Sequence, residues 1–431
     1  MTLTILVLFG CLFLLIILSV PIGIAIGVST IITIYLAIDN INVGTVAQKS
    51  FTALDSFPIM AIPFFILAGV LMGKGGVSKR LLDFANSLVG FMTGGLALVT
   101  ILACMFFAAI SGSGPATVAA IGSFMIPAMQ EKKYGGGFAS SLTATAGSIG
   151  VIIPPSIPFV LLGVTGGLSI SDLFLAGMFP GIVIGILLML VSFIIIKMKN
   201  INVNRSEKKV DFKKVWTTFY DAIWALLTPI IVLGGIYAGI FTPTEAAAVA
   251  IVYALIVGVF IYKELRWKEI YDSLVETIQI TGATLYMVGL SIAFAYLLTI
   301  ERIPGSIAEV ILSASDNPII ILLLINLFLL IVGAFIDTIA AIVILTPILL
   351  PVAMEIGVDP IHFGVIMVVN LAIGFITPPV GVNLFVSSAV GKVPFDHIVK
   401  SSIPLFVTMF VALMIISYVP SLSLFFVELF K

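Results

Sequence analysis

Residues 101–126 read ILACMFFAAISGSGPATVAAIGSFMI. They form the centre of an apolar run over 84–129, long enough to enter and leave a bilayer at about 20 residues per crossing. The middle of the run, Ile-Ser-Gly-Ser-Gly-Pro (110–115), breaks a helix. The run lies between two basic separators, KGGVSKR (74–80) and QEKKYGGG (130–137). Loops rich in Lys and Arg stay in the cytoplasm, so both ends of the run face one side. The spacing therefore predicts a re-entrant hairpin over about 96–129, preceded by a helix near the interface. Gly and Pro backbone at that depth is tolerated only inside protein or beside water.

The rest of the chain agrees with a lipid environment. Of 431 residues, 61% are apolar and 10% charged, against about 45–50% and 25% in soluble domains. The mean hydropathy is +1.29. These values exclude a soluble enzyme, a nucleic-acid binder and a disordered scaffold, and the net charge of −1 offers nucleic acid no basic surface. Cys11 and Cys104 lie in apolar runs and indicate neither a disulfide framework nor a metal site. The first 27 residues have no basic n-region or small-residue cleavage site, so they read as a retained membrane helix rather than a signal peptide.

Further apolar runs fall at about 3–20, 22–38, 57–73, 138–168, 173–196, 216–240, 243–262, 270–300, 310–354, 361–391 and 400–430. The stretch 197–214 carries seven Lys and Arg and is the largest linker. With it inside, the run 310–354 becomes a second hairpin, about 318–354, that opens from the outside. The fold class expected is an all-α polytopic membrane protein with about ten crossings, two re-entrant hairpins and both termini periplasmic. This arrangement leaves 17 of the 20 Lys and Arg in cytoplasmic loops. The loops 263–268 and 392–400 test it independently, because the first three basic loops were used to build it.

The halves align without a gap at an offset of 224. Pro127, Pro154, Pro155 and Pro180 pair with Pro351, Pro378, Pro379 and Pro404; Gly150 pairs with Gly374 and Asp172 with Asp396. Four such pairs at one offset far exceed chance for 21 prolines in 431 residues. The expected organisation is a first repeat over 1–196 with a broken helix at 138–168, a basic cytoplasmic linker at 197–215, and a second repeat over 216–431 with a broken helix at 361–391. The repeats point in opposite directions. Inverted repeats with broken helices near the midplane mark secondary transporters; a duplicated bundle without transport is the bland alternative.

Four stretches interrupt apolar helices: Ser111-Gly112-Ser113-Gly-Pro-Ala-Thr117, Thr145 to Ser156, Gly333-Ala-Phe-Ile-Asp337-Thr338, and Ala372 to Gly381. Each half thus supplies one hairpin tip and one unwound helix. Unwound backbone presents carbonyl oxygens to Na⁺, and half-helix N-termini suit a substrate carboxylate. Alternatively, the Gly and Pro residues merely kink packed helices and the hydroxyls bond back to their own helix. Asp337 is the only charged residue between Asp316 and Glu355. A carboxylate at depth costs a few kcal/mol at least and wants a partner. A bound cation is the natural one, and capping of a half-helix is the alternative. Its repeat mate is Ser113. Glu245, Asp172 and Asp396 read as helix-start residues, His362 and His397 fall at segment ends, and Asn383 and Ser387 share a helical spacing after the second Pro-Pro. No HExxH or GxxxxGK[ST] occurs, so the chain is expected to be no enzyme and to hold no transition metal.

The ordered set of SGSGPAT, the GxxxPPS break, the basic central loop and the second-half TPPVG resembles the large membrane subunit of tripartite ATP-independent periplasmic (TRAP) transporters, of the ion-transporter superfamily. The resemblance runs from the first helix to the last. It implies scaffold and elevator-type transport domains in a bacterial inner membrane, and Na⁺-driven symport of an organic acid with no cofactor but the coupling ion. It also implies a small four-helix membrane subunit and a periplasmic binding protein as partners. The small subunit would be a separate chain here, since no N-terminal extension precedes the first helix. Carried onto this sequence, Na⁺ would be held by Ser111, Gly112, Ser113, Gly150 and Pro154 at one site and by Gly333, Asp337, Gly374 and Thr377 at the other. The substrate would lie between them, near Thr145, Pro155, Ser156, Thr338, Pro379 and Asn383. A C4-dicarboxylate, a sialic acid or a similar carboxylate fits the implied function. The rival expectations are a self-sufficient symporter of the same superfamily and a channel-like subunit.

Overall fold

The computed structural model describes residues 2–18, 20–38, 41–198, 211–306, 309, 315 and 317–430. The central basic stretch over 199–210, and with it Arg205, Lys208 and Lys209, lies outside the described residues, as does Asp316. Nineteen α-helices are described. In the first half they are α1 (Thr2–Ile17), α2 (Ile22–Ala37), α3 (Gly44–Leu54), α4 (Ala61–Lys74), α5 (Val77–Val89), α6 (Gly95–Ser111), α7 (Gly114–Glu131), α8 (Gly136–Gly147), α9 (Ile157–Gly166) and α10 (Ile170–Met198). In the second they are α11 (Phe212–Tyr237), α12 (Pro243–Leu255), α13 (Trp267–Ile300), α14 (Pro318–Phe335), α15 (Thr338–Glu355), α16 (Pro360–Gly374), α17 (Val382–Gly391), α18 (Phe395–Tyr418) and α19 (Ser421–Leu429). Among the described residues eight helical segments are long and apolar enough to cross a membrane, with shorter apolar helices besides.

Helix bounds recur at the 224-residue offset. The second arm of hairpin 1, Gly114–Glu131, has Thr338–Glu355 as its counterpart, and α8 starts at Gly136 where α16 starts at Pro360. One pair differs. Trp267–Ile300 is continuous over 34 residues, about 50 Å at 1.5 Å per residue, and so outreaches a hydrocarbon core of about 30 Å. Its counterpart is interrupted after Leu54, where Asp55, Ser56 and a short 3₁₀ turn at Phe57–Met60 separate α3 from α4. Pro58 supplies no amide for a continuous ladder there. The run 400–430, read as one crossing, is likewise two helices, because Val419 leaves the helical conformation and Pro420, which has no amide to donate, follows it.

Helices α1–α5 and α11–α13 pack as one group, and α6–α10 with α14–α19 as another. The groups meet along α5 with α6, α4 with α6, and α13 with α15. α5 is the helix expected before hairpin 1. It buries Val77, Leu81, Leu82, Phe84 and Ala85, while Lys79, Asp83 and Asn86 lie on other faces.

Long-range contacts sort the loops into two ends. Arg80 pairs with Glu264 at 2.7 Å, joining loops 74–80 and 263–268. Gln130 donates to the Gly391 carbonyl at 3.1 Å, joining 130–137 to 392–400. At the opposite end Thr4 donates to Glu301 at 3.2 Å, Thr244 to the Phe57 carbonyl at 3.1 Å, and Tyr418 to the Ile319 carbonyl at 2.9 Å. Each contact joins segments that the Lys and Arg distribution puts on one side.

Glu245 caps α12 as the sequence suggests. The Thr242 hydroxyl accepts from the Glu245 amide at 3.3 Å, and the Glu245 carboxylate accepts from the Thr242 amide at 2.8 Å. This reciprocal box satisfies two orphan donors. Thr242→Ala is expected to cost ~1 kcal/mol of stability, read as a lower thermal unfolding midpoint in detergent with uptake unchanged.

Candidate functional site

The first tip is built from short polar residues between two apolar arms. Helix α6 ends at Ser111, and Gly112 turns the chain at φ +60°. Ser113 is extended and its hydroxyl accepts from the Ala116 amide, while Pro115 presets the first turn of α7. Three oxygens gather behind the turn. Thr117 Oγ1 lies 2.9 Å from Ser111 Oγ and donates to the Ser113 carbonyl at 2.8 Å.

This tip rests on the first broken helix. After Gly147 the backbone passes through a 3₁₀ turn at Ser148–Val151 and a cis Pro154–Pro155 bond before Ser156 caps α9. Ser156 Oγ donates to the Val151 carbonyl at 2.6 Å and accepts from the Phe159 amide at 3.4 Å. The Ile157 amide donates to the Gly112 carbonyl at 3.4 Å, tying break to tip. A Cβ on Gly150 would stand 2.6 Å from both Ser113 O and Thr117 Oγ1, so only glycine allows this approach.

The second tip repeats the plan with different chemistry. Helix α14 ends at Phe335, Ile336 and Asp337 are extended, and Asp337 accepts from the Ile339 amide at 2.9 Å as the cap of α15. Gly374 lies against Gly333: a Cβ on Gly374 would fall 2.3 Å from the Gly333 carbonyl oxygen. The Val380 amide donates to the Ala334 carbonyl at 3.3 Å. The second Pro378–Pro379 bond is also cis. A cavity of about 120 Å³ lies here, lined by Gly333, Asp337, Thr338, Gly374 and Ile22 of α2, among others. Neither ion pair found among the described residues, Lys74–Glu276 or Arg80–Glu264, reaches Asp337. Among the described residues the carboxylate therefore has the Ile339 amide as a donor and no ion-pair partner.

Several of the expected site residues come together at these two tip-on-break contacts. Ser111, Gly112, Ser113 and Gly150 meet at the first, with Pro155 beside them: its carbonyl oxygen would lie 2.7 Å from a Cβ on Gly112. Gly333, Asp337, Thr338 and Gly374 meet at the second. Pro154 also lines an apolar crevice of about 410 Å³ with Leu233 and Tyr237 of α11. Thr145 donates to the Ser141 carbonyl on its own helix at 2.9 Å, and Thr377, just past α16, donates back to the Ile373 carbonyl at 2.8 Å. Pro379 is exposed, whereas its repeat mate Pro155 is buried.

Asn383 crosses between the halves. Its Nδ2 donates to the Ala144 carbonyl at 3.0 Å and to Ser148 Oγ at 3.1 Å. Its Oδ1 is buried with no hydrogen-bond partner among the described residues. Ser387, one turn on, bonds back to the Leu384 carbonyl. A second-half residue thus joins the first-half break, next to Gly114 of the first tip.

Sequence reasoning missed three features. Thr117 and Ser148 complete the first contact; both lie within the quoted breaks but are not among the expected site residues. A buried chain joins His362, Ser417, Asn326 and Asn370: His362 Nε2 lies 3.3 Å from the Ser417 carbonyl, Asn326 donates to Ser417 Oγ at 3.1 Å, and Asn370 donates to Asn326 Oδ1 at 2.6 Å. It fastens α14 to α16 one turn before Gly374. The third is a cavity of about 340 Å³ that runs from Ser111 and Ser113 to Lys74 and Glu276, at the end of the molecule carrying the basic loops.

Comparison with known proteins agrees with this architecture. The family profile described as "Tripartite ATP-independent periplasmic transporter, DctM component" matches residues 9–422. The isethionate TRAP transporter permease protein DctMQ of Oleidesulfovibrio alaskensis is 50% identical over 422 residues, 97% of this chain. The chain spans 66% of that relative's length. The C4-dicarboxylate TRAP transporter large permease protein DctM of Pseudomonas aeruginosa is 44% identical over 400 residues, covering 93% of each chain. The crystal structure of the YdaH transporter of Alcanivorax borkumensis superposes with a TM-score of 0.64 at 14% identity over 88% of each chain, a likeness of fold.

Proposed function

The chain belongs to the DctM family of tripartite ATP-independent periplasmic transporters, the large permease component, and from that premise we propose that it imports a small organic acid by Na⁺ symport. As a permease of this family it is a membrane transport protein and not an enzyme. The observation that carries the coupling proposal is the pair of tip-on-break contacts, repeated at 224 residues, with a carboxylate at the second alone. Na⁺ takes hard oxygen ligands. The first contact offers Ser111 Oγ, Ser113 O and Thr117 Oγ1; the second offers Asp337 and the Gly333 carbonyl.

The substrate binds between the contacts, where the caps of α7 and α9 leave half-helix N-termini for an anionic group. The relatives named for isethionate and C4-dicarboxylates support a small organic anion, carboxylate or sulfonate. Helices α6–α10 and α14–α19 carry both contacts and move as one body against α1–α5 and α11–α13, in an elevator stroke. The repeats are inverted in the bilayer and both termini are periplasmic. A periplasmic binding protein delivers the substrate, and a small four-helix membrane subunit packs on the permease. With two Na⁺ and a monoanion, one net positive charge enters per cycle, worth about 2.3 kcal/mol at 100 mV.

The test of the partners is uptake of labelled isethionate and succinate by proteoliposomes holding this chain with its small subunit. Purified binding proteins are added outside. Uptake that needs a binding protein supports the tripartite reading. Uptake without one overturns it in favour of a self-sufficient symporter.

A further inference from the structure

The cavity of about 340 Å³ between the two helix groups has one wall from hairpin 1, with Ser111, Ser113 and Ser123, and one from α4, α5 and α13. Among the described residues Lys74 and Glu276 are its only charged lining residues, and they pair at 2.8 Å. Their side chains are 33% and 48% exposed, so the pair opens at small cost. Ser78 lies beside them in the first turn of α5. It is 4% exposed, lines the cavity, and its hydroxyl has no hydrogen-bond partner among the described residues. Gly76 precedes this turn and supplies no side-chain cap; the Glu264 carboxylate beside Gly76 is paired with Arg80, and uncapped amides at a helix start attract anions.

We propose that Lys74, Ser78 and the first turn of α5 form a second anion station, where the substrate's carboxylate or sulfonate is held after leaving the hairpin tips and before release. This rests on the proposed import of an organic anion. Glu276 competes for Lys74. It re-pairs as the anion departs, so a group with a free ammonium does not trap its own cargo. A station of this kind keeps an attractive charge along the exit path while lowering residence time. Both partners lie on one helix group, so the pair does not lock the two groups together, and its effect falls on the anion rather than on the stroke.

The proposal assigns opposite signs to the two partners, which a structural tie would not. Ser123, exposed on the hairpin wall, is replaced by Cys in a background lacking Cys11 and Cys104. Inverted membrane vesicles present the basic-loop end to sulfonatoethyl and trimethylammonioethyl methanethiosulfonate. Glu276→Gln is expected to raise the ratio of anionic to cationic labelling about three- to fivefold, and Lys74→Gln to lower it similarly. Lys74→Arg is expected to leave the ratio near wild type. In the same vesicles, Glu276→Gln lowers the KM for isethionate or succinate at this face and Lys74→Gln raises it. Equal ratios in all variants, or both neutral variants shifting the same way with Lys74→Glu/Glu276→Lys restoring wild type, would overturn the station. If neither probe is moved by the wild type, the proposed substrate class fails, while the labelling ratio still decides the station.

Discussion

Asp337→Asn is expected to reduce the Na⁺ affinity of uptake by about two orders of magnitude while leaving the protein folded. The two halves of that expectation come from different properties of the side chain. As a cap, Asp337 accepts from the Ile339 amide at 2.9 Å. Asn accepts the same bond, and the two residues rank alike at N-caps, so α15 keeps its start. As a charge, Asp337 has no basic partner in the chain among the described residues. A cation about 4 Å from a carboxylate gains about 4 kcal/mol at an effective dielectric near 20. Partial hydration of the ion reduces this, and about 2–3 kcal/mol remains, near a hundredfold. The check is the Na⁺ concentration giving half-maximal uptake, measured beside the thermal midpoint. An unchanged half-saturation would reduce Asp337 to a cap.

Gly374→Ala is expected to abolish uptake, and Gly333→Ala, at the same contact, to be tolerated. The contrast follows from direction. The Cβ added at Gly374 meets the Gly333 carbonyl oxygen at 2.3 Å, backbone against backbone, with no flexible group to give way. The Cβ added at Gly333 meets the Gly374 Cα at 3.4 Å, an ordinary van der Waals separation. Gly374→Ala must therefore lift the tip away from the broken helix, beside Asp337. Overpacking of this kind costs about 1–3 kcal/mol or more, so a lowered thermal midpoint should accompany the loss. Gly150→Ala is expected to act likewise at the first contact, where the added atom falls 2.6 Å from Ser113 O. Uptake is measured for all three, with expression and melting as controls. Equal activity in Gly374→Ala and Gly333→Ala would contradict the contact geometry.

The hairpin tips and breaks are legible in the sequence because Gly, Pro and Ser in an apolar run have few other uses. SGSGP and TPPVG announce a turn whatever packs around them. The Lys and Arg of loops 74–80 and 263–268 mark a shared side, and the Arg80–Glu264 pair joins those loops. The Thr242–Glu245 box is legible because capping is local in sequence. The rest depends on long-range partners. Asn326 and Asn370 read as isolated polar residues in apolar helices until α14 meets α16. Lys74 and Glu276 belong to separate segments, and nothing local predicts that they line one cavity. Asn383 is reachable by helical spacing, but its bonds to Ala144 and Ser148 across the halves are not. Apolar faces toward lipid and toward protein look alike, so the division into two helix groups emerges only from packing.

The central claim is that two repeat-related contacts bind the coupling ions. The most direct measurement is the initial rate of labelled substrate uptake into proteoliposomes as external Na⁺ is varied, at zero and at inside-negative potential. The account predicts no uptake without Na⁺, a sigmoidal rise with a Hill coefficient above one, and acceleration by the negative potential for a monoanionic substrate. Uptake that ignores Na⁺, with a rate set only by the substrate gradient, would contradict it.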